Sequence, residues 1–394
     1  VLAFTRRCAA LAAAALLPLT LPAVASADDL VAPGVTYRTF SVSTAHGPVS
    51  AYLLTVDLRV ARLDLLHPAR VAQRAGVAEM ATAQRAVAGV NGDFFNISET
   101  HAGVAATGSS VGPEIASGED LKFAVPDGQR FGPAMPAGAT TKVVFGEGVD
   151  RRARVTSVDL AGAAVSAEGV FRIDGLNQYA LPVGGIGEYT SDWGEVSRAR
   201  AACGTDTDRS AGCTTETEEV VIRHGVVTAE AETPGSGPIA PDTVVLLGRE
   251  QGAAALEALD PGDHVVVGTH LVARQAPPFR FAVGGFPILR NGTPLSGLDA
   301  VTLAPRTAAG ASADGRTAYL LTVDGRTAAS SGMSVAELAG LLRDSGAATG
   351  VNLDGGGSTT MAVAGDEGVT IRNVPSDGTE RAVANGIGVF SGGR

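Results

Sequence analysis

The run Val351-Asn352-Leu353-Asp354-Gly355-Gly356-Gly357-Ser358-Thr359-Thr360-Met361-Ala362-Val363 restricts the fold more than any other stretch. Apolar, strand-like residues flank three consecutive glycines, so two strands must be joined through backbone that carries no Cβ. Backbone of that kind lets another group come close. Asn352, Asp354, Ser358 and Thr359 add a carboxylate and several hydrogen-bonding groups, a set suited to an oxygen-rich ligand. Asp354-Gly355 is equally a turn dipeptide, and a plain turn between strands is the competing reading.

What precedes this loop has a clear grammar. Ser334-Val335-Ala336-Glu337 is a capping box, and Val335, Leu338, Ala339, Leu341 and Leu342 make the apolar face of the helix it starts, which Gly346 ends. Ahead of the helix, the strand Thr317 to Val323 closes on Asp324-Gly325-Arg326 and a polar connection to Met333. An earlier Asp314-Gly315-Arg316 reads as a hairpin tip, so the second triplet could be a turn as well. If the two strands around the helix run parallel, the 324–333 and 354–359 loops emerge at the same end.

Toward the N-terminus, Val35 to Leu66 alternates in the manner of two or three antiparallel strands, and Val77 to Ala86 reads as a short helix. It leads into the apolar strand Ala86 to Val90 and then Asn91-Gly92-Asp93-Phe94-Phe95. Asn-Gly is a common hairpin turn. Paired aromatics at the same point fit a pocket or a core cap better. Residues 107–271 hold short strands between Gly, Pro and Asp clusters, with a short helix at Ala253 to Leu259, and read as a β-rich, largely structural middle region or insertion.

Arg6-Arg7, the apolar run to Leu21 and Ala25-Ser26-Ala27 predict a secretory signal peptide over residues 1–27, cleaved near Ala27. No later stretch is apolar for long enough to span a membrane, so a secreted or extracytoplasmic chain with no stable membrane span is expected. Loss of the two arginines moves the formal charge from −11 to −13. An acidic chain of this kind does not suit nucleic acid, and any phosphate recognition must come from a few local arginines and backbone amides. Export also predicts pairing of Cys203 with Cys213, the two cysteines beyond the signal segment, in a disulfide that closes a short polar loop. Asp206-x-Asp208 within it lacks the glycine and terminal Glu of a calcium loop.

Taken in order, the motifs NGDFF at Asn91, RTAAG at Arg306, LLTVDGR ending at Arg326, the capped helix, VNLDGGGSTTM and Arg381-Ala382-Val383-Ala384-Asn385-Gly386 resemble the phosphodiester glycosidase family. The similarity covers Val35 to about Gly103 and Ala282 to Phe390, and is poor between them. A His-Pro-Arg-Thr pattern common in the family reads Ala304-Pro305-Arg306-Thr307 here, so a role resting on that histidine is absent.

The resemblance implies an α+β fold, a mixed and largely antiparallel sheet with a few helices, built from residues 28–106 and 272–394 around the middle region. It also implies hydrolysis of a sugar-1-phosphodiester, releasing the sugar and a phosphomonoester. Such cleavage needs a carboxylate, for which Asp93 and Asp354 are candidates, and neutralisation of the leaving phosphate, for which Arg306 and Arg326 are suited by bidentate guanidinium geometry. Asn91, Gly92, Asp324, Asn352, Gly355, Gly356, Gly357, Ser358 and Thr359 complete the expected binding set. The expected partner is a sugar-phosphate small molecule or a cell-surface glycopolymer. No cofactor is evident, and a divalent cation held by Asp93 or Asp354 with phosphate oxygens stays open. The alternative is a non-catalytic exported protein that binds sugar phosphates or cell-wall polysaccharide with the same loops.

Overall fold

The computed structural model describes residues 28–392, so the signal-peptide segment lies outside the described residues. Four sheets, antiparallel in all but one pairing, make up most of the chain. The architecture is therefore closer to mostly β than to the balanced α+β expected, because the middle region builds sheets of its own while the helices stay short. The disulfide between Cys203 and Cys213 is formed.

An eight-stranded sheet runs in the order 29–32, 35–44, 47–57, 317–323, 306–311, 349–352, 286–290, 293–294. Strands Thr317–Val323 and Thr349–Asn352 both pair antiparallel with Arg306–Ala311. They consequently point the same way without touching. Their C-terminal ends, and the N-terminal end of the strand between them, lie at one edge. That is how Arg306, the loop carrying Arg326 and the glycine loop are delivered to one place. Helix Val335–Asp344 makes the crossover, starting with the full capping box, in which Glu337 N donates to Ser334 Oγ (3.3 Å) and Ser334 N to Glu337 Oε2 (2.9 Å). It buries Leu338, Ala339 and Leu342 against Leu53, Ile288, Ala308 and Leu321.

A second, five-stranded sheet places Ala88–Asn91 between Met361–Gly365 and Gly386–Phe390, with helix Val77–Gln84 packed on it through Val77, Met80 and Ala81. Asn91-Gly92 is thus the end of a central strand and not a hairpin turn. A true Asn-Gly hairpin lies at Asn291-Gly292, where both residues take positive φ (49° and 71°) between strands 286–290 and 293–294. The middle region supplies a five-stranded sheet of its own and most of a seven-stranded one that also takes in Phe279–Gly284. One core joins all four sheets through residues such as Leu54, Val90, Phe145, Val245 and Phe281.

Removing the cap oxygen leaves a helix-start amide without its partner. Ser334→Ala should lower stability by about 1 kcal/mol. The check is a shift of the urea midpoint with an unchanged slope.

Candidate functional site

At the shared strand edge lies a cavity of about 310 Å³. It is lined by Asp354, Gly355, Gly356 and Gly357 with three arginines, Arg306, Arg326 and Arg381, and by the apolar side chains of Phe94, Phe95, Ile97, Phe131 and Pro133. The glycine triplet has a specific packing reason. A Cβ on Gly355 would sit 2.8 Å from Pro305 O and 3.7 Å from Arg306 Cδ, and one on Gly356 would sit 3.2 Å from Arg326 Nη1. One on Gly357 would overlap Arg381 Nη2 and Asp377 Oδ2. Gly356 and Gly357 thus lie against the guanidinium groups of Arg326 and Arg381, whereas Gly355 makes room for the backbone oxygen of Pro305.

The three arginines are not equivalent. Arg306 is buried, and it donates from Nε to Met333 O (3.0 Å) and from Nη2 to Thr302 O (2.7 Å). Nη1 and the second hydrogen of Nη2 are left for a ligand. Arg381 is paired with Asp377 and reaches Ser358 Oγ from Nη1 at 3.3 Å. Arg326, exposed and in the left-handed conformation (φ 60°), makes no side-chain hydrogen bond or ion pair among the described residues. It is the guanidinium freest to take an anion. Desolvation and the nearby charge of Arg326 depress the pKa of Arg306, and Asp299 opposes them. A bound anion would relieve both effects.

Among the described residues, Asp354 is the one carboxylate lining this cavity. Burial pushes its pKa up to about 6 against the opposing pull of the Ser358 hydroxyl, the Gly355 amide and Arg381. Its backbone is clamped on both sides, since Asp354 N donates to Gly92 O (2.9 Å) and Asp354 O accepts from Asn91 Nδ2 (2.7 Å). Asn91 Oδ1 in turn accepts from Thr307 Oγ1 (2.7 Å) and Thr360 N (3.1 Å). One buried amide therefore links the strand that begins at Arg306 to both arms of the glycine loop. Asn91 and Gly92, expected to bind substrate, instead hold Asp354 in place.

Several other expected site residues point elsewhere. Asp93 does not line the cavity; its carboxylate accepts from Phe94 N (2.8 Å) and Gly112 N (2.5 Å). The backbone of Gly112 and Gly284 closes around it, and burial raises its pKa, with the fully buried Lys122 pulling the other way. Asp324 is likewise turned inward, accepting from Tyr52 Oη (2.7 Å) and Val374 N (2.9 Å). Asn352, Ser358 and Thr359 are buried beneath the loop, and Asn352 Oδ1 and Thr359 Oγ1 have no hydrogen-bond partner. Among the described residues, the one His/Cys/Asp/Glu group close enough to share an ion is His101, Cys203 and Cys213, whose two cysteines are bonded to each other.

Two contributors were not singled out from the sequence. Arg381 stands in the last motif without a role, although a lone arginine in a polar run gives little signal before its contact with Gly357 is seen. Phe131, Gly132 and Pro133 come from the middle region, so that region is not only structural.

The fold and the site together describe a β-rich scaffold with a cleft lined by three arginines and one carboxylate. Residues 216–390 match the model of the phosphodiester glycosidase family. The resemblance read from the motifs is therefore shown, and the matched stretch begins inside the middle region. A prophage-derived uncharacterized protein of Bacillus subtilis strain 168, YomE, is 44% identical over 81 residues, 21% of this chain and 12% of that protein. The chain thus aligns with only about an eighth of that relative's length. Among solved structures, a hypothetical protein from Synechocystis aligns with a TM-score of 0.70 at 20% identity, over 91% of this chain and 62% of that one. A Burkholderia pseudomallei K96243 protein described as a putative exported protein aligns with a TM-score of 0.66 at 26% identity, over 87% of this chain and 74% of that one.

The glycine packing can be tested by contrast. Gly355→Ala should cost about 1–3 kcal/mol, because its Cβ would meet the fixed backbone oxygen of Pro305 at 2.8 Å. Gly340→Ala, in the 335–344 helix with no atom within 4 Å of the new methyl, should instead add roughly 0.5–1 kcal/mol. Denaturation midpoints of the two variants should move in opposite directions.

Proposed function

We propose that this chain is an extracytoplasmic glycosidase that hydrolyses sugar-1-phosphodiesters at the glycosidic bond, releasing the sugar and a phosphomonoester. The observation that carries the reading is the composition of the cleft: three guanidinium groups and one carboxylate. Ordinary glycosides need a pair of carboxyl groups, one to protonate the leaving oxygen. A phosphomonoester departs as an anion and needs charge neutralisation more than a proton, so one carboxylate beside a cationic surface suits it. Arg326 and Nη1 of Arg306 are assigned to the phosphate, and Asp354 to the anomeric carbon, as nucleophile or as base for the attacking water. Asp93 drops out of this assignment because its oxygens are already bonded to backbone. The family match supports glycosidase-type chemistry, and the disulfide together with the Burkholderia protein described as exported supports an extracytoplasmic location.

A panel of sugar-1-phosphodiesters, assayed with the wild type and two variants, tests this. Asp354→Asn keeps the shape of the side chain and should reduce kcat by at least ~100-fold with ligand affinity preserved. Arg326→Ala should weaken affinity and turnover together, because the phosphate is anionic before and during cleavage. Since Asp354 must be ionised to act, and burial raises its pKa to about 6, kcat/KM should climb as pH rises through about 6. Activity that falls over that range would assign Asp354 as an acid, and Asp354→Asn rates within a few-fold of wild type would remove it from the chemistry.

A further inference from the structure

The disulfide-closed loop 203–213 takes no part in the chemistry above, yet it stands behind the apolar side of the cleft. Asp206 O accepts from Gly128 N (2.8 Å) and Thr205 O from Gln129 Nε2 (2.5 Å). Arg209 Nη1 donates to Arg130 O (2.9 Å), and its guanidinium carbon lies 3.9 Å from the centre of the Phe131 ring. From another direction, Ala211 O meets His101 Nε2 at 2.8 Å, while Glu99 binds both His101 and Arg200. The segment that ends at His101 carries Ile97, and the one that follows Gly128 carries Phe131 and Pro133. Two cavity-lining segments, distant in sequence, are thus anchored to one cross-linked loop.

Phe131 is half-buried, with Arg209 over its ring, Tyr179 packed against it at a centroid distance of 6.2 Å, and the cavity beside it. Ile97 is 38% exposed and lies with Phe94, Phe95, Phe131 and Pro133 among the apolar lining of the cleft. A sugar phosphate is amphipathic in the matching sense: its phosphate is anionic, and the ring carries a face of C–H groups. Pockets that hold such ligands combine an apolar wall with a few placed polar groups.

We propose that Phe131, together with Ile97, is the platform for the sugar ring, and that the disulfide loop fixes its position through Arg209; this rests on the sugar-1-phosphodiester reading of the cleft. Phe131 is the specificity-determining contact, and Arg209 is a positioning residue acting through it. The cleft separates the two ends of its ligand, with the phosphate on the arginines and the sugar on the aromatic wall.

Calorimetric titration with inorganic phosphate and with the 1-phosphates of glucose, galactose, mannose and N-acetylglucosamine tests the platform without requiring turnover. The wild type should bind its preferred hexose 1-phosphate roughly tenfold more tightly than phosphate. Phe131→Ala should remove most of that difference and leave phosphate affinity within about twofold, whereas Phe131→Tyr should retain it. Arg209→Ala, an exposed change unlike the half-buried Phe131, should remove part of the difference, as should reducing the disulfide. Phosphate binding with no preference for any hexose 1-phosphate would overturn the platform alone, as would equal losses for both ligands in a folded Phe131→Ala. Failure of every ligand to bind the wild type would overturn the platform and the phosphate assignment together.

Discussion

Crowding three guanidinium side chains against one stretch of backbone is the constraint from which the site follows. Arg326 and Arg381 approach Gly356 and Gly357 at distances that leave little or no room for side chains there, while Gly355 is closed off by Pro305 O with Arg306 in ordinary contact beside it. Like charges gathered in a partly desolvated cleft repel one another, and the lowered pKa of Arg306 has that repulsion among its causes. Asp377 compensates Arg381, and Asp354 lines the same cleft. Arg326 has no carboxylate of its own. Positive charge of this kind, open to solvent on one side, is arranged for an anionic ligand.

Holding that arrangement falls to the sheets. The antiparallel placement of Arg306–Ala311 between two strands of common direction puts three sequence-distant segments at one edge. Asn91, at the end of a strand in a different sheet, then ties them together through Asp354 O, Thr360 N and Thr307 Oγ1. An unpaired buried amide would cost about 1–3 kcal/mol, so the network is firm only when complete. Behind it, Asp93 and Lys122 fill the next layer with charge that never meets the cleft.

Much of this was legible in the sequence because local chemistry and long-range position agreed. The capping box marked the 335–344 helix, the Asn291-Gly292 hairpin had its usual dipeptide, and the glycine triplet between apolar runs marked a close approach. Convergence of the 324–333 loop with the glycine loop followed from the strand–helix–strand pattern, although the two outer strands flank a third that begins at Arg306. What sequence could not separate was a carboxylate facing the cleft from one facing inward. Asp93 and Asp354 both follow or precede glycine at a strand end, and only Gly112 and Gly284, far apart in the chain, show that Asp93 is enclosed. The inward orientation of Asp324 was hidden for a similar reason, since its partner Tyr52 lies 272 positions away. The contribution of Phe131 was hidden because nothing near it in sequence resembles a site.

The central claim is that the cleft holds the phosphate as a leaving group while water attacks sugar carbon. Hydrolysis of a sugar-1-phosphodiester substrate in water enriched in heavy oxygen distinguishes this directly from attack at phosphorus. The account predicts the label in the anomeric hydroxyl of the released sugar, read by mass spectrometry before it exchanges, with none in the phosphomonoester. Label in the phosphate, with an unlabelled sugar, would contradict it.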